Sequence, residues 1–158
     1  MAMNILLTGF SSTSSELLVK QSDNRALILP NDRLVDSQIL LGEISQQAYD
    51  SILSFGQKPN IKNKIYLETT ARNMGHCIDT NLEYNKLKRS LESNNIPVQM
   101  SNNAGTSFCN TLYWNGLNYI YNQGLETQMI FLHIPFCKNI TDSELFFRQI
   151  LTAIKNLQ

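Results

Sequence analysis

The feature that most constrains the fold of this chain is the alternation of short apolar segments rich in strand-forming residues with longer segments of helical periodicity. Parallel strands need crossover connections, and helices supply them while covering both faces of the sheet. The sequence therefore predicts an α/β fold, a three-layer α/β/α sandwich with a mostly parallel sheet. No repeat or linker interrupts the 158 residues, so a single domain spanning 1–158 is expected.

Six segments have the composition of strands, at residues 4–8, 26–29, 51–55, 64–68, 97–100 and 129–134. Between them, residues 33–47 and 82–94 have helical periodicity. In the first of these helices the predicted buried face carries Val35, Ile39, Leu40 and Ile44. A last helix should begin at Thr141, since residues 141–144 have the spacing of a capping box.

Charge and hydropathy exclude several classes of function. Lys and Arg total 13, as do Asp and Glu, and no run of like charges indicates a nucleic-acid or membrane-surface partner. The longest apolar runs, such as IFLHIPF, fall far short of the roughly 20 residues of a membrane span. The chain lacks a recognisable signal peptide, and its three cysteines have no C-x-x-C spacing. We therefore expect a cytoplasmic protein with free thiols and a small or neutral partner.

One cysteine, Cys109, lies immediately after the polar, glycine-containing segment SNNAGTS, in which Thr106 and Ser107 are candidate helix N-caps. The apolar spacing after Cys109 predicts an amphipathic helix that ends near Gly124. Backbone amides and the helix dipole favour an anion in the first turn, so the thiol is expected to ionise below about 8.5. This predicts a nucleophile. The alternative is a thiol that only packs, because free cysteine is often buried.

A thiolate nucleophile needs a histidine base, usually oriented by a third polar group. His133 lies near the carboxyl end of a predicted strand, whereas His76 lies in a glycine-containing segment predicted as a loop. Glu68 closes another strand and could orient the histidine. Each of these two could instead be structural, His133 as a core histidine and Glu68 as a solvated turn residue. Because Cys109, His133 and Glu68 all follow predicted strands, we expect them to meet at the carboxyl edge of the sheet.

Four segments together resemble the signature sequences of the pyroglutamyl peptidase I family of cysteine peptidases. They are SNNAGTSFCNTLYW, FLHIPF, IYLETTARN and the opening NILLTGF, and they occur in the family's order across nearly the whole chain. The resemblance implies a catalytic Glu68, Cys109 and His133. It also implies substrate contacts at Phe10, Phe108 and Asn73.

The same resemblance implies a hydrolase that removes an N-terminal pyroglutamyl residue from a small peptide with a blocked N-terminus. No metal or cofactor is expected. The adjacent His76 and Cys77 are a weak metal-site signal without further ligands at suitable spacing. Aromatic residues Tyr119 and Tyr121 on the Cys109 helix leave room for a homo-oligomeric interface.

The sequence departs from the family pattern around the substrate. After Thr-Gly-Phe the chain reads SSTSS, where the family has a second aromatic residue, a proline and a glycine pair. The family's Gly-Gly-Arg is replaced by GQKPNIKNK, so an arginine expected near the site is missing, and whether Lys58 compensates is left open. The segment of residues 73–96 is shorter than in the family. Two alternatives therefore stay open: a hydrolase of the same fold acting on another small N-terminal amide, and a non-enzymatic binding protein.

Overall fold

The structure of the protein, a computed structural model, describes residues 3–158. The strands are β1 (Ile5–Phe10), β2 (Arg25–Leu29), β3 (Ser51–Lys58), β4 (Ile65–Glu68), β5 (Thr70–Asn73), β6 (His76–Asp79), β7 (Val98–Ser101) and β8 (Gln128–Pro135). The α-helices are α1 (Ser14–Val19), α2 (Val35–Gln46), α3 (Tyr84–Ser93), α4 (Phe108–Asn122) and α5 (Ser143–Lys155), and a 3₁₀ turn covers Cys137–Asn139. The six predicted strands and four predicted helices are confirmed. Across this described range, no helix combines the length and apolar character of a membrane span.

The main sheet has six strands in the order β2-β1-β3-β8-β4-β7. Strands β2, β1, β3 and β8 are mutually parallel, whereas β4 pairs antiparallel with β8 and parallel with β7. The predicted mostly parallel sheet is confirmed, with two strands reversed. Because of this reversal, Glu68 at the carboxyl end of β4 pairs with Phe131 in the middle of β8. The expectation that Glu68 lies at the carboxyl edge of the parallel strands is therefore wrong.

Two apolar layers flank the sheet, because side chains alternate between its faces. Helices α1, α3 and α5 cover one face, through residues such as Leu18, Leu91 and Phe147. Helices α2 and α4 cover the other face together with the β5–β6 hairpin, through residues such as Leu40 and Leu112. We call this second side the α2–α4 face. The predicted α/β/α arrangement is confirmed.

The segment predicted as a loop around His76 forms a hairpin instead. Strands β5 and β6 are each four residues long and pair antiparallel as a separate two-stranded sheet. Met74 and Gly75 connect them with φ of 47° and 82°, the left-handed conformation that a two-residue hairpin turn of type I′ requires at both positions. The short helix α1, with Thr13 as its N-cap, was also missed.

Two helix details differ from the prediction. The N-cap of α5 is Asp142 rather than Thr141, since the Asp142 carboxylate accepts the backbone N–H of Leu145 at 3.1 Å. In α2, Val35 and Ile39 are each 39% exposed, whereas Asp36 is fully buried with Leu40 and Ile44. Helix α2 is thus rotated by about one position from the predicted face, which places a carboxyl group in the interior.

Candidate active site

Glu68 is fully buried on the same face of the sheet as its register partner Phe131. Its Oε2 accepts a hydrogen bond from the Ser101 hydroxyl at 3.1 Å and lies 3.4 Å from His133 Nδ1. Its other oxygen, Oε1, has no hydrogen-bond partner within residues 3–158. A buried carboxylate with so few donors is unfavourable unless a positive charge is nearby. The imidazole of His133 can supply that charge once it has accepted a proton.

His133 lies in β8 beside Glu68 and is buried. Its ring stacks at a tilt on Phe131, with 5.0 Å between ring centroids. Because Nδ1 faces the Glu68 carboxylate, Nε2 is the ring nitrogen left for another partner. A histidine held in this way can accept a proton at Nε2 while the carboxylate stabilises the resulting imidazolium.

Cys109 is the second residue of α4, whose N-cap is Ser107, as the sequence predicted. Its sulfur packs against the backbone of β3, because a Cβ atom added at Gly56 would stand only 2.5 Å from it. Gly56 is the register partner of His133 on the neighbouring strand. Adjacent strands lie about 4.8 Å apart, so the Cys109 sulfur and the His133 ring occupy neighbouring positions on one face of the sheet. The structure thus brings Glu68, His133 and Cys109 together.

The thiol of Cys109 is far from the ionised state that its helix position predicted. Burial raises the pKa of Cys109 to about 12, and the charges of Asp36 and Glu68 act in the same direction. Its own backbone N–H and Lys58 lower the pKa by less. The expected low thiol pKa is therefore wrong, because loss of hydration outweighs the amides of the helix. Proton removal from this sulfur needs a base.

The predicted substrate contacts occupy different environments. Phe10 is buried at the end of β1 and belongs to the apolar cluster that includes Cys109, and Phe108 packs partly against the same cluster. Asn73 is exposed and pairs with His76 at the turn of the β5–β6 hairpin. The structure thus places Phe10 in the apolar cluster that contains Cys109 and Phe108 against that cluster, and it leaves the Asn73 side chain outside.

The hairpin docks on the start of α4 through Arg72 and Asn110. The Arg72 backbone N–H donates to Asn110 Oδ1 at 3.0 Å, and Asn110 Nδ2 donates back to the Arg72 carbonyl at 2.8 Å. The Arg72 guanidinium also donates to the carbonyl of Asn102, in the loop before α4. The hairpin therefore fixes the helix turn that carries Cys109.

His76 and Cys77 are exposed on β6, and the described residues contain no group of three or more His, Cys, Asp or Glu side chains arranged to hold a metal ion.

Four residues of this site were not identified from the sequence: Ser101, Tyr113, Gly56 and Asp36. Ser101 donates to Glu68, and the hydroxyl of the fully buried Tyr113 donates to the Glu68 carbonyl oxygen at 2.7 Å. For Tyr113, a polar tip on the predicted apolar face of α4 was an available signal. For Asp36 the signal was its spacing of four residues from Leu40, which places both on one side of a helix.

We expect Tyr113→Phe to lower the free energy of unfolding by about 1 kcal/mol, the usual net contribution of a hydrogen bond. The matched control is Tyr121→Phe. Tyr121 also donates to a carbonyl oxygen, that of Asp79, but it is 51% exposed, so water can replace the bond. Urea denaturation of both variants tests the prediction. Equal losses for the two substitutions would contradict it.

Comparison with a family model and comparison with individual known proteins both match this chain to pyroglutamyl (pyrrolidone-carboxylate) peptidases. Residues 78–145 match the family model described as pyroglutamyl peptidase, a segment that includes Cys109 and His133 but not Glu68. A pyrrolidone-carboxylate peptidase of Thermoanaerobacter sp. (strain X514) is 26% identical, with 85% of this chain and 83% of that protein covered. A pyrrolidone-carboxylate peptidase of Thermococcus onnurineus (strain NA1) is 42% identical over 48 residues, which are 30% of this chain and 24% of that protein.

Solved structures share the fold over nearly the full length. Pyrrolidone carboxyl peptidase from Fervidobacterium islandicum AW-1 superposes with a TM-score of 0.86 at 20% identity, covering 99% of this chain and 98% of that one. Pyroglutamyl peptidase I from Bacillus amyloliquefaciens superposes with a TM-score of 0.84 at 17% identity, covering 96% and 95%.

Proposed function

We propose that this chain, a member of the pyroglutamyl peptidase family, is a cysteine peptidase that hydrolyses the amide bond after an N-terminal pyroglutamyl residue. One observation carries the proposal: the Glu68 carboxylate, the His133 imidazole and the Cys109 sulfur occupy adjacent buried positions on one face of the sheet. This is the arrangement of orienting group, base and nucleophile that acyl transfer through a covalent intermediate needs.

In the first half of the reaction, His133 Nε2 removes the proton of the Cys109 thiol as the sulfur attacks the pyroglutamyl carbonyl carbon. Because the pKa of the buried thiol is raised, the neutral thiol is the resting form, and proton transfer accompanies the attack. Glu68 stabilises the imidazolium that forms. His133 then protonates the departing amine, which leaves a thioester on Cys109.

The developing oxyanion needs hydrogen-bond donors. The backbone N–H groups of Cys109 and Asn110 lie in the first turn of α4, where N–H groups have no acceptor inside the helix. The helix dipole points its positive end at the same place. These two groups are the proposed oxyanion donors.

In the second half of the reaction, water attacks the thioester carbonyl while His133 acts as base. Pyroglutamate leaves, and the proton returns from His133 to the sulfur. Both halves of the reaction thus use the Cys109 sulfur as nucleophile or leaving group and the His133 imidazole as acid and base. Phe10 and Phe108, which lie in or against the apolar cluster that contains Cys109, are proposed to contact the flat pyrrolidone ring.

A second candidate, a hydrolase of the same fold for another small N-terminal amide, is favoured by the loop after β1. The hydroxyl groups of this loop bind its own backbone: Thr13 Oγ1 donates to the Phe10 carbonyl at 2.8 Å, and Ser15 Oγ accepts from the Phe10 N–H at 2.9 Å. The loop thus supplies small polar side chains beside Phe10 where the family has a second aromatic residue.

A substrate panel tests the proposal and separates the two candidates. We expect the protein to hydrolyse pyroglutamyl anilide with a kcat/KM at least about tenfold above that for prolyl, alanyl and acetyl-alanyl anilides, since one face of aromatic contact contributes roughly that factor. Initial rates at equal enzyme concentration give the comparison. Faster turnover of an acyclic substrate would favour the second candidate, and no turnover of any substrate would favour a binding protein.

A further inference from the structure

Two lysines without acidic partners lie at the carboxyl edge of the parallel strands. Lys58 is the last residue of β3. Lys64 immediately precedes β4, which runs in the opposite direction and so begins at the same edge. Both side chains are half-buried, and within residues 3–158 neither ammonium group forms an ion pair with a carboxylate. Half-buried positive charges without a counter-charge favour the binding of an anion.

Both ammonium groups lie against one aromatic ring, that of Tyr66. Lys58 Nζ is 5.1 Å from the centre of this ring, and Lys64 Nζ is 5.3 Å from the same centre. Distances of this size are typical of cation–π contacts. Lys64 Nζ also donates to Gln99 Oε1 at 2.9 Å, but an ammonium group has further N–H donors for a ligand. We call Lys58 and Lys64 the lysine pair.

The register of the sheet places the lysine pair beside the proposed nucleophile and base. Lys58 lies two residues beyond Gly56, which is the register partner of His133. Side chains two residues apart in a strand share a face, so Lys58 extends from the face on which the Cys109 sulfur rests on Gly56. Tyr66 is the register partner of His133 on the other side of β8. To lie over the Tyr66 ring, the Lys58 side chain must therefore cross β8 just beyond the His133 imidazole.

The charges on this face of the sheet are separated along β8. Glu68 shares the face, but it is fully buried and faces His133 from the level of Phe131, so it does not neutralise the lysine pair. The charge of Lys58 also lowers the pKa of the Cys109 thiol, although burial has the larger, opposite effect. A ligand group on the side of His133 away from Glu68 therefore approaches the positive charge of the lysine pair.

We propose that the lysine pair binds the free α-carboxylate of the amino acid that the peptidase releases, so that pyroglutamyl dipeptides are the preferred substrate class. The inference rests on the proposed function in taking Cys109 as the nucleophile and His133 as the acid that protonates the leaving amine. In a dipeptide the α-carboxylate is two bonds from that amine nitrogen. An amine placed beside His133 Nε2 therefore brings the carboxylate to the lysine pair, where it accepts charge-assisted hydrogen bonds.

The first test compares kcat/KM for pyroglutamyl-alanine and for its C-terminal amide at low ionic strength, with alanine or alaninamide release followed by chromatography. We expect the free acid to be favoured by about fivefold or more. Lys58→Met should reduce this preference about threefold, since a partly exposed ion pair contributes a factor of this size. Methionine keeps an unbranched stem against the Tyr66 ring and removes the charge. Lys64→Met carries the same test if Lys58→Met does not fold.

A third substrate distinguishes the α-carboxylate from an acidic side chain, which offers the same chemistry. Pyroglutamyl-aspartate with an amidated C-terminus carries its carboxylate on the side chain alone. We expect its kcat/KM to lie below that of pyroglutamyl-alanine, because the side-chain carboxylate stands one bond further from the leaving nitrogen. A preference for the aspartate peptide would overturn the assignment to the α-carboxylate.

Alkylation of Cys109 tests the lysine pair without peptidase activity. In a Cys77→Ser/Cys137→Ser background Cys109 is the remaining thiol. The ratio of its rates with iodoacetate and iodoacetamide reports the nearby charge, because one reagent carries a carboxylate where the other carries a neutral amide. We expect Lys58→Met to lower this ratio about threefold and Lys64→Met to act in the same direction. The effect of Lys58→Met should shrink at high salt.

Lys62→Met is the matched control, since Lys62 is exposed in the same loop between β3 and β4 and the substitution removes the same charge. Both ratios should match those of the parent. Equal effects of Lys62→Met and Lys58→Met would overturn the inference, as would unchanged ratios in Lys58→Met or a failure of both reagents to label Cys109. Turnover of the dipeptide and its amide at equal rates would overturn the inference and leave the proposed function standing. The predicted alkylation ratios without turnover of any peptide would support anion binding by the lysine pair and count against the proposed function.

Discussion

Cys109→Ser is expected to lower kcat for pyroglutamyl anilide by at least about 10³-fold, with KM changed little. The substitution keeps the size and the helix position of the side chain but replaces the thiol with a hydroxyl group, which ionises far less readily. His133 and Glu68 keep their buried contact, so the loss isolates the nucleophile. Loss of a single catalytic nucleophile typically costs rate factors of this size or larger, and the residual rate reflects oxyanion donors and binding. Steady-state kinetics on the purified variant provide the measurement.

Two further measurements make this result specific. Cys137→Ser changes an exposed cysteine outside the cluster and should leave kcat within about twofold of the wild type, as surface substitutions normally do. Thermal unfolding of Cys109→Ser should show a cooperative transition, which excludes loss of activity through misfolding. A Cys109→Ser enzyme that retained a tenth or more of the wild-type kcat would eliminate the proposed mechanism.

Some parts of this fold could be predicted from the sequence, and others could not. The central strands and the long helices were predictable because burial on two faces leaves apolar runs, and helical packing leaves a 3.6-residue period. Strands β5 and β6 were missed because they carry few apolar side chains and most of their residues are exposed, so they leave no apolar run in the sequence. The reversal of β4 was missed for a different reason. Strand direction depends on how the chain returns to the sheet, and local pattern does not contain that information.

The sequence predicted which residues form the candidate site, but it did not predict the pKa of the Cys109 thiol within that site. Glu68, Cys109 and His133 are brought together, although Glu68 reaches His133 from an antiparallel neighbour in the middle of β8. The thiol pKa was wrong because a helix N-terminus is visible in sequence whereas depth of burial is not, and burial dominates at a residue that is 7% exposed. Asp36 was missed because Val35 fits an apolar stripe equally well, and only the packing of α2 on α4 shows which of the two faces inward.

Gly56→Ala is expected to lower kcat by about 10²-fold or more and the free energy of unfolding by about 1–3 kcal/mol. An added Cβ would stand 2.5 Å from the Cys109 sulfur and 2.9 Å from the Phe131 ring, both closer than non-bonded atoms approach. The aromatic ring is packed in the buried core, so the sulfur is the group that must move. Rotation of the short Cys109 side chain would carry the sulfur away from its position beside His133.

The matched control is Gly42→Ala in the middle of α2. A Cβ at Gly42 meets no atom within 4 Å, and alanine is the better helix former by about 1 kcal/mol. Gly42→Ala should therefore stabilise the protein slightly and leave activity unchanged. A similar stability gain in Gly56→Ala, with normal kcat, would show that the sulfur does not rest on β3 and would remove the geometric basis for the site.

A double-mutant cycle separates the clash with sulfur from a general effect on the strand. Cys109→Ala removes the atom that the new methyl group meets, so the stability cost of Gly56→Ala should fall in the Cys109→Ala background. The coupling between the two substitutions, measured from urea midpoints, should reach about 1 kcal/mol or more, as expected for residues in direct contact. Additive costs would instead assign the destabilisation to the Phe131 ring. A sulfur that rests on Gly56 has its freedom of rotation restricted by the backbone of β3, which keeps it on the face of the sheet that carries the imidazole.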